Sequence, residues 1–317
     1  MSKETLIAVG AGVLSAIAGV AFLSRSAGAL FFVYVASLPL FMAGLALGPR
    51  AVMIGGGIGF FTAGLLGGGF VAGVYGLMQT VPAWLMVKQL LLQRPGDAGG
   101  GAAWYPIGQT LGWLAMLAAG ILVMAAIMTG SSEPGFAGTI ADSLDSILTA
   151  MAPQLDEARR AATVAMMAPI FPGAIGGSAM VMSVVNAVLA QHLVTRMKRN
   201  LRPTPAYADL LLPQWMSWPL VGSAALALIG SGDLQFTGRN LTLVLAVPFF
   251  FVGLAVVHTW ARRVAYTGVV VVVFYLVLLL SGWAMLAVAG LGMAEQWIGL
   301  RGRFAGSSRS GPPASLD

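Results

Sequence analysis

The segment that decides the fold is residues 105–128, which read YPIGQTLGWLAMLAAGILVMAAIM. It contains no Asp, Glu, Lys or Arg, and its apolar residues run continuously instead of alternating along the chain. A helix of about 20 such residues crosses the hydrocarbon core of a bilayer, which is roughly 30 Å thick. The segment therefore predicts a membrane-spanning α-helix, and similar segments recur along the chain.

The composition extends this prediction to most of the 317 residues. Hydrophobic residues make up 58% of the chain and charged residues only 9%, and the mean hydropathy is +0.87. In a soluble domain about a quarter of the residues are charged. Lipid cannot satisfy backbone N–H and C=O groups, so only helices and closed barrels cross it, and long continuous apolar runs favour helices. We predict an all-α, polytopic transmembrane helix bundle.

Several residue types that support other chemistries are scarce. Cysteine is absent, which excludes disulfides and thiolate chemistry. The two histidines, His192 and His258, lie on different segments, which excludes a His-rich metal cluster. The net charge of +6 does not indicate nucleic acid binding, because the basic residues lie in short loops beside apolar spans. We expect the lipid bilayer as the main partner, no nucleic acid and no cofactor.

Nine segments are candidate spans, and two of them are weak. We predict eight or nine spans in one transmembrane domain over residues 1–300, followed by a polar, disordered tail over residues 301–317. The first segment also resembles a cleavable signal peptide, but the recurrence of the pattern favours a first span. The candidates are residues 5–23, 29–47, 51–66, 70–87, 105–128, 165–194, 218–229, 241–258 and 264–290.

The placement of Lys and Arg orients the chain, because both are enriched in cytoplasmic loops. We predict a bacterial inner-membrane protein whose N-terminus and Arg196–Arg202 loop are cytoplasmic. Nine spans would place the basic tail outside, so the alternatives are eight spans, a re-entrant last segment or an exception to the rule. The predicted inside residues are Lys3, Arg50, Lys88, Arg94, Arg196, Lys198, Arg199, Arg202, Arg262 and Arg263. The predicted outside residues are Arg25, Arg159, Arg160 and Arg239, and the tail holds Arg301, Arg303 and Arg309.

The 130–162 loop is predicted to lie outside and to contain one amphipathic surface helix. Its apolar residues recur at helical spacing with aspartates on other faces, and Thr139 with Asp142 indicates a helix start. The helix lies on the outer membrane surface or over a cavity mouth, or it simply packs on its neighbours, which is the commoner outcome. The apolar residues are Ile140, Leu144, Ile147, Leu148, Met151 and Leu155.

Neutral polar residues mark a candidate site inside the apolar layer. No acidic or basic residue lies deep in a predicted span, which argues against proton pumps, voltage sensors, carboxylate-coupled exchangers and intramembrane proteases. We therefore expect no enzymatic activity. A ligand cavity is predicted at five residues, although neutral amides in membranes serve more often as hydrogen bonds between helices. These residues are Tyr75, Gln79, Thr80, Asn186 and Gln191.

A basic, proline-rich stretch follows the sixth predicted span. The prolines stop the helix and force an extended chain, and tryptophans then anchor its return to the membrane. Its simplest role is to anchor the chain on anionic lipid head groups. The sharper hypothesis is a docking loop for a cytoplasmic partner. The predicted docking residues are Arg196, Arg199, Arg202, Pro203, Pro205, Pro213 and Trp215.

A resemblance to a known family rests on the same stretch, in the residues Asn186, Ala190, Gln191, Arg196, Leu201, Arg202, Pro203, Pro205, Leu212, Pro213 and Trp215. The pattern resembles the YybS-like family of bacterial polytopic membrane proteins of unknown function. The glycine-rich segment before Pro82, and Gln296-Trp297-Ile298 followed by Arg301 and Arg303, resemble its alphaproteobacterial-type branch. The resemblance implies no activity and no catalytic residues. In general character the family is similar to the substrate-binding membrane subunits of energy-coupling-factor vitamin transporters, although those have only about six spans.

Three functional hypotheses follow from these patterns. The leading one is a transport-associated or small-solute-binding membrane subunit that works by helix rearrangement without an intramembrane charge relay. Its partner would be another membrane protein or a cytoplasmic ATPase-type protein. The second hypothesis is a structural or assembly protein that binds other membrane proteins and has a closed interior. The third, a lipid-acting intramembrane enzyme, requires a convergent set of polar residues that the sequence does not assemble.

Overall fold

A computed structural model describes residues 2–24, 26, 28–94, 103–130 and 133–302 of the chain. The chain divides into two compact units. The first unit comprises Met1–Ile121 and Ala174–Pro205, and the second comprises Leu122–Gly173 and Ala206–Asp317. Arg25 and the predicted tail from residue 303 onward lie outside the described residues.

Helices dominate the described chain, which confirms the predicted all-α class. A short antiparallel hairpin interrupts them, in which β1 (Gln93–Arg94) pairs with β2 (Ala103–Trp104). A π-helical turn, Gly76–Thr80, separates α4 from α5. The helices are α1 (Lys3–Gly19), α2 (Ala29–Tyr34), α3 (Leu38–Leu47), α4 (Pro49–Tyr75), α5 (Val81–Leu90), α6 (Ile107–Gly130), α7 (Gly135–Met151), α8 (Glu157–Met167), α9 (Phe171–Arg196), α10 (Ser217–Ile229), α11 (Gly232–Ala261), α12 (Thr267–Leu280) and α13 (Gly282–Ile298).

Five helical segments of the described chain are long and apolar enough to cross a membrane, or up to six if the bent pair α12–α13 is one span. A multi-spanning helix bundle is therefore confirmed, whereas the predicted eight or nine spans are not. The predicted span 264–290 corresponds to α12 and α13, which are bent by 117° relative to each other. The five segments are Ala29–Leu47, Pro49–Leu90, Ile107–Gly130, Glu157–Arg196 and Gly232–Ala261.

Two predicted spans form helices that are short for a membrane crossing. Helix α1 has 17 residues where residues 5–23 were predicted, and α10 has 13 residues where residues 218–229 were predicted. At 1.5 Å per residue, a helix needs about 20 residues to cross the hydrocarbon core. Hydropathy registers apolar character without the length of the regular helix, so the predicted spans 5–23 and 218–229 are not confirmed as membrane crossings.

The segment that contains α4 and α5 folds back on itself at Gly68. Gly68 has φ 85°, a left-handed conformation that a residue without Cβ adopts readily. A Cβ on Gly64 would lie 3.4 Å from the Ala72 Cβ, and a Cβ on Gly59 would overlap the Tyr75 hydroxyl. Because residues further before Gly68 meet residues further after it, the two limbs run antiparallel. Each limb is close to 30 Å long at about 1.5 Å per residue, so the predicted spans 51–66 and 70–87 correspond to the two limbs.

In the first unit, α1 packs along the first limb of α4 through small residues. A Cβ on Gly12 would overlap the carbonyl oxygen of Gly55, and a Cβ on Gly55 would lie 2.8 Å from the carbonyl oxygen of Ala8. Backbones can approach this closely only where the side chain is a hydrogen atom or a methyl group. Ala8 also packs with Ala51 in one buried cluster, so α1 and α4 begin at the same end of the unit.

In the second unit, α10 and α13 both pack along α11. Thr242 donates a 3.1 Å hydrogen bond to the Ser223 hydroxyl of α10. A Cβ on Gly253 would overlap the Val288 carbonyl oxygen, and a Cβ on Gly292 would overlap the Phe249 carbonyl oxygen of α11. The two glycine contacts pair increasing residue numbers on α13 with decreasing ones on α11, so these helices are antiparallel.

The predicted helix of the 130–162 loop exists as α7, but it begins at Gly135 instead of near Thr139. The Asp233 carboxylate accepts hydrogen bonds from the backbone N–H groups of Phe136 (2.7 Å) and Ala137 (3.0 Å). A carboxylate from another helix therefore caps this N-terminus, which no local sequence pattern could indicate. Phe136 is buried and meets the Phe236 ring of α11 edge to face at 5.3 Å. Here α7 packs on its neighbour, the commoner alternative.

Candidate functional site

The predicted cavity residues of the second α4 limb surround the π-helical turn Gly76–Thr80. The Tyr75 hydroxyl donates a 2.8 Å hydrogen bond to the buried Ser15 hydroxyl of α1. The Thr80 side chain packs on Gly56, where a Cβ would overlap the Thr80 methyl group. Tyr75 thus bonds α4 to α1, which is the usual role of polar residues between membrane helices. Thr80 packs through its methyl group, and its buried Oγ1 has no hydrogen-bond partner within the described part of the chain.

Gln79 lies inside the π-helical turn and is only 4% exposed. Its Oε1 atom is buried and has no hydrogen-bond partner within the described part of the chain. A buried polar atom without a partner costs about 1–3 kcal/mol. π-helical turns also occur frequently at functional sites. Gln79, like the neighbouring Thr80 with its unpartnered Oγ1, therefore fits a ligand contact.

Asn186 of α9 is 1% exposed and uses only half of its hydrogen-bonding capacity. Its Nδ2 donates to the carbonyl oxygens of Tyr34 (2.7 Å) and Met182 (2.8 Å). Its Oδ1 is buried without a partner among the described residues. Asn186 therefore ties α9 to the end of α2 and presents a second unused acceptor.

In the first unit the hydroxyl oxygens of Ser37 and Thr110 are also buried without a hydrogen-bond partner among the described residues. Sequence reasoning did not select them, because a single hydroxyl in an apolar segment is common and normally donates to the carbonyl one turn earlier. In contrast, Ser183 makes that local bond, donating to the Ala179 carbonyl oxygen at 2.9 Å. Buried polar atoms without partners are thus a recurrent feature of this unit.

A cavity of about 50 Å³ lies in the first unit between the π-helical turn, α6 and α9. Its lining is almost wholly apolar and includes Leu77, Met78, Leu114, Met180 and the Ser183 side chain. None of the five predicted cavity residues lines it. Gln79 adjoins Met78 in sequence, and Asn186 lies three positions from Ser183 on α9. The structure thus places a cavity beside the predicted residues without bringing them together in its wall.

Gln191 serves the turn after α9 instead of a cavity. Its Nε2 donates to the Arg202 carbonyl oxygen at 2.9 Å, and Asn200 Nδ2 donates to the same oxygen at 2.8 Å. The Arg202 guanidinium donates to the Leu90 carbonyl oxygen at 2.9 Å and lies 5.5 Å from the Trp104 ring centre. These contacts fix the turn on the end of α5.

The predicted docking residues separate into buried and exposed ones. Arg202 is only 7% exposed, so its side chain stabilises the turn and offers little surface to a partner. Arg196, Arg199 and Pro203 are exposed, and Pro205 is half-buried. Pro213 and Trp215 belong to the second unit, where Pro213 is half-buried and Trp215 is 37% exposed.

The second unit contains a buried ion pair that the predicted spans did not include. Glu295 of α13 is 5% exposed, and its Oε1 accepts a 2.7 Å hydrogen bond from Arg301 Nε. The Arg301 guanidinium also donates to the carbonyl oxygens of Ala208 and Leu210. Both residues follow the predicted span end at residue 290, because α13 continues beyond it as far as Ile298.

The described ranges contain no cluster of side chains that could bind a metal ion. No group of three or more His, Asp or Glu residues there has the arrangement to hold a metal ion.

The comparison with protein families agrees with this architecture. The model of a family described as "Predicted membrane protein (DUF2232)" matches residues 13–295, most of the chain. No match was found among curated proteins or among solved structures. A membrane-protein family of unknown function is thus confirmed, while the YybS-like name and the branch stay predictions. The chain belongs to the DUF2232 family of predicted membrane proteins.

Proposed function

We propose that the protein is a small-solute-binding subunit of a bacterial inner membrane, with a cytoplasmic N-terminus and with its site in the first unit. The observation that carries the proposal is the cavity beside the π-helical turn, next to segments that bear two buried, unused acceptor oxygens on Gln79 and Asn186. A solute that donates a hydrogen bond to either oxygen would offset the free-energy cost of burying that oxygen without a partner.

The small size of the cavity supports a binding mechanism in which helices move apart. Its volume is about 50 Å³, whereas a single water needs about 10–15 Å³ and typical ligand pockets are several times larger than this cavity. Binding therefore requires the helices to separate. In this proposal the helices that move are those that line the cavity, namely the π-helical turn with the start of α5, α6 and α9.

The chemistry of the lining sets the class of solute. An apolar wall with a locally bonded Ser183 hydroxyl favours an apolar body. The neutral acceptors nearby favour an N–H or O–H donor over a full charge, which would be costly to desolvate. The solute class is therefore small, neutral and amphipathic, and its binding needs neither an intramembrane charge relay nor an enzymatic step.

Transport would need a partner that supplies energy. In this proposal an ATPase-type protein docks on the cytoplasmic side, at the exposed residues Arg196, Arg199 and Pro203. Arg202 stabilises the backbone under that surface, because its guanidinium donates a hydrogen bond to the Leu90 carbonyl oxygen and lies over the Trp104 ring.

An assembly role is the second candidate function, and one observation favours it. Helix α12 has no buried residue, and its apolar side chains, such as Val269, Leu276 and Leu279, are exposed. Another membrane protein could cover this surface. A lipid-acting enzyme is the least favoured candidate, because the part of the chain that the structure describes supports no convergent catalytic constellation.

Filling the cavity tests the proposed function. We expect Ala179→Leu, on the cavity wall, to abolish retention of a small donor-bearing compound, whereas Ala174→Leu, exposed on the same helix, should not. The compound is sought by solvent extraction and mass spectrometry of the purified chain in nanodiscs, with empty nanodiscs as the reference. If the unaltered protein retains nothing and Ala179→Leu merely raises the unfolding temperature, the cavity is a packing defect and the assembly role is favoured.

A further inference from the structure

The first unit gathers its basic residues at one end, which we call the cationic end. The starts of α1 and α4 lie together there, as the buried cluster of Ala8, Ala43 and Ala51 shows. The Leu45 carbonyl oxygen near the end of α3 accepts a 3.1 Å hydrogen bond from the Leu201 N–H, and the next residue, Arg202, is bonded to the end of α5. The cations at or beside these helix ends are Lys3, Arg50, Lys88, Arg94, Arg196, Lys198, Arg199 and Arg202.

This end has a strong excess of positive charge. All of its cations except Arg202 are exposed. Among the residues of the first unit that the structure describes, Glu4 is the single acidic one. Little compensation is available within the unit, so the cationic end favours an anionic partner.

The turn after α9 holds three of these cations in a fixed backbone. Arg199 N–H bonds the Val194 carbonyl oxygen, and Lys198 N–H bonds the Thr195 carbonyl oxygen, both at 2.9 Å. This pair of bonds is a Schellman motif. The contacts of Arg202 with the Leu90 carbonyl oxygen and the Trp104 ring then clamp the turn, so that Arg196, Lys198 and Arg199 project from a preorganised support.

Lys198 occupies a position where glycine is usual. Its φ of 55° makes it the single non-glycine residue with positive φ in the described ranges. A side chain in this left-handed conformation carries a steric cost that glycine avoids. The Schellman motif would form more easily with glycine. A lysine in this strained position points to a use for its charge.

We propose that Arg196, Lys198 and Arg199 form a binding site for the phosphate head group of an anionic phospholipid. The chain is an integral membrane protein, so lipid phosphates lie at its helix ends. Trp84, whose ring lies 4.8 Å from the Lys88 ammonium, and Trp104 belong to the same end, and such aromatic rings are typical of the membrane interface. The site is separate from the proposed solute cavity, and it shares Arg196 and Arg199 with the proposed docking surface.

The test compares matched charge losses. The purified chain is reconstituted in nanodiscs of phosphatidylglycerol or of phosphatidylcholine, and retained lipids are counted by native mass spectrometry after release into detergent. Each cation near a bilayer contributes about a five-fold gain in affinity for anionic lipid. We expect R196Q/K198Q/R199Q to weaken phosphatidylglycerol retention on the order of 100-fold, whereas R159Q/R239Q/R262Q, with the same loss of charge in the second unit, should weaken it far less.

Lys198→Gly separates binding from folding. The substitution relieves the left-handed backbone, so we expect an unchanged or higher unfolding temperature together with about five-fold weaker phosphatidylglycerol retention. Equal retention of the two lipids, or equal losses in the two triple variants, overturns the site. Glycerol 3-phosphate added to phosphatidylcholine nanodiscs provides a further arm. If it stabilises the chain as strongly as phosphatidylglycerol does, the ligand is a free phosphate compound and the lipid assignment fails.

Discussion

A buried asparagine has hydrogen-bond partners for both of its side-chain polar atoms in one unit of the molecule, and for only one of them in the other unit. In the second unit, Asn240 Oδ1 accepts from the Gly173 N–H at 2.8 Å, and its Nδ2 donates to the Pro169 and Phe236 carbonyl oxygens. In the first unit, Asn186 donates through Nδ2, but its buried Oδ1 has no partner in the described chain. The same type of side chain therefore uses both polar atoms to connect helices in the second unit, whereas its oxygen makes no hydrogen bond in the first.

The contrast extends to the other buried polar groups. In the second unit, Glu295 pairs with Arg301, and Asp233 caps α7 through two backbone N–H groups. In the first unit, the buried acceptor of Gln79 is unused. Gln296 of the second unit is an exception, because its Oε1 is also buried without a partner among the described residues. The other side-chain atoms of this kind in the described chain lie in the first unit, where each lowers stability by about 1–3 kcal/mol until something binds it. This difference supports the proposal of a binding function in the first unit.

The strongest test of this difference between the units is a substitution of Glu295, for which we expect the largest loss of stability. In Glu295→Ala, Arg301 stays buried without its carboxylate, and removing one partner of a buried pair costs about 3–5 kcal/mol. The measurement is the free energy of unfolding in mixed micelles, followed by tryptophan fluorescence. Arg159→Ala, which removes an exposed ion pair with Asp156, is the control and should cost less than about 1 kcal/mol. Similar losses in both variants would mean that the Glu295 pair is solvated.

A smaller effect is expected from the two asparagines. Asn240→Leu leaves the Gly173 N–H and the Pro169 carbonyl oxygen without partners, and we expect a loss of about 2–3 kcal/mol. Asn186→Leu also removes a bond, to the Tyr34 carbonyl oxygen, but it eliminates an unpaired acceptor, so the loss should stay below about 1 kcal/mol. Both variants are measured by the same unfolding experiment. Equal losses would show that Asn186 is as fully bonded as Asn240.

Most of the fold was predictable from hydrophobic patterning, because lipid imposes helices and a minimum length on every span. Residues 29–47 were predicted as one span, and the structure has a segment with the same limits. The turn at Gly67–Gly69 was also evident, since a glycine run between two apolar segments permits a reversal. A re-entrant last segment was one of the predicted alternatives, and the structure bends this segment by 117° between α12 and α13, at Ser281-Gly282. The position of the bend was not predicted, because the apolar character continues on both sides of it.

The site was less predictable, because hydrogen-bond partners are set by tertiary contacts. Gln191 and Asn186 are both amides on α9, yet one fixes the 199–202 turn and the other has an unused acceptor. Nothing in their local sequence distinguishes them. Glu295 could have been found, since the apolar pattern after residue 282 continues beyond it and a carboxylate inside such a segment normally has a partner.

The smallest expected effect, and the one that sharpens the comparison most, is at Gln79. Gln79→Leu removes the unpaired Oε1 and replaces it with a side chain of similar size, so we expect the free energy of unfolding to change by less than about 1 kcal/mol, in the stabilising direction. The same substitution should reduce the retention of a donor-bearing compound in the extraction experiment. Gln89→Leu, whose Oε1 is likewise buried without a partner in the described chain but lies at the cationic end, is the matched control and should leave retention unchanged. A loss of 2 kcal/mol or more at Gln79 on the scale of a broken buried bond would instead identify it as a hydrogen bond between helices, and the first unit would then be satisfied in the same way as the second.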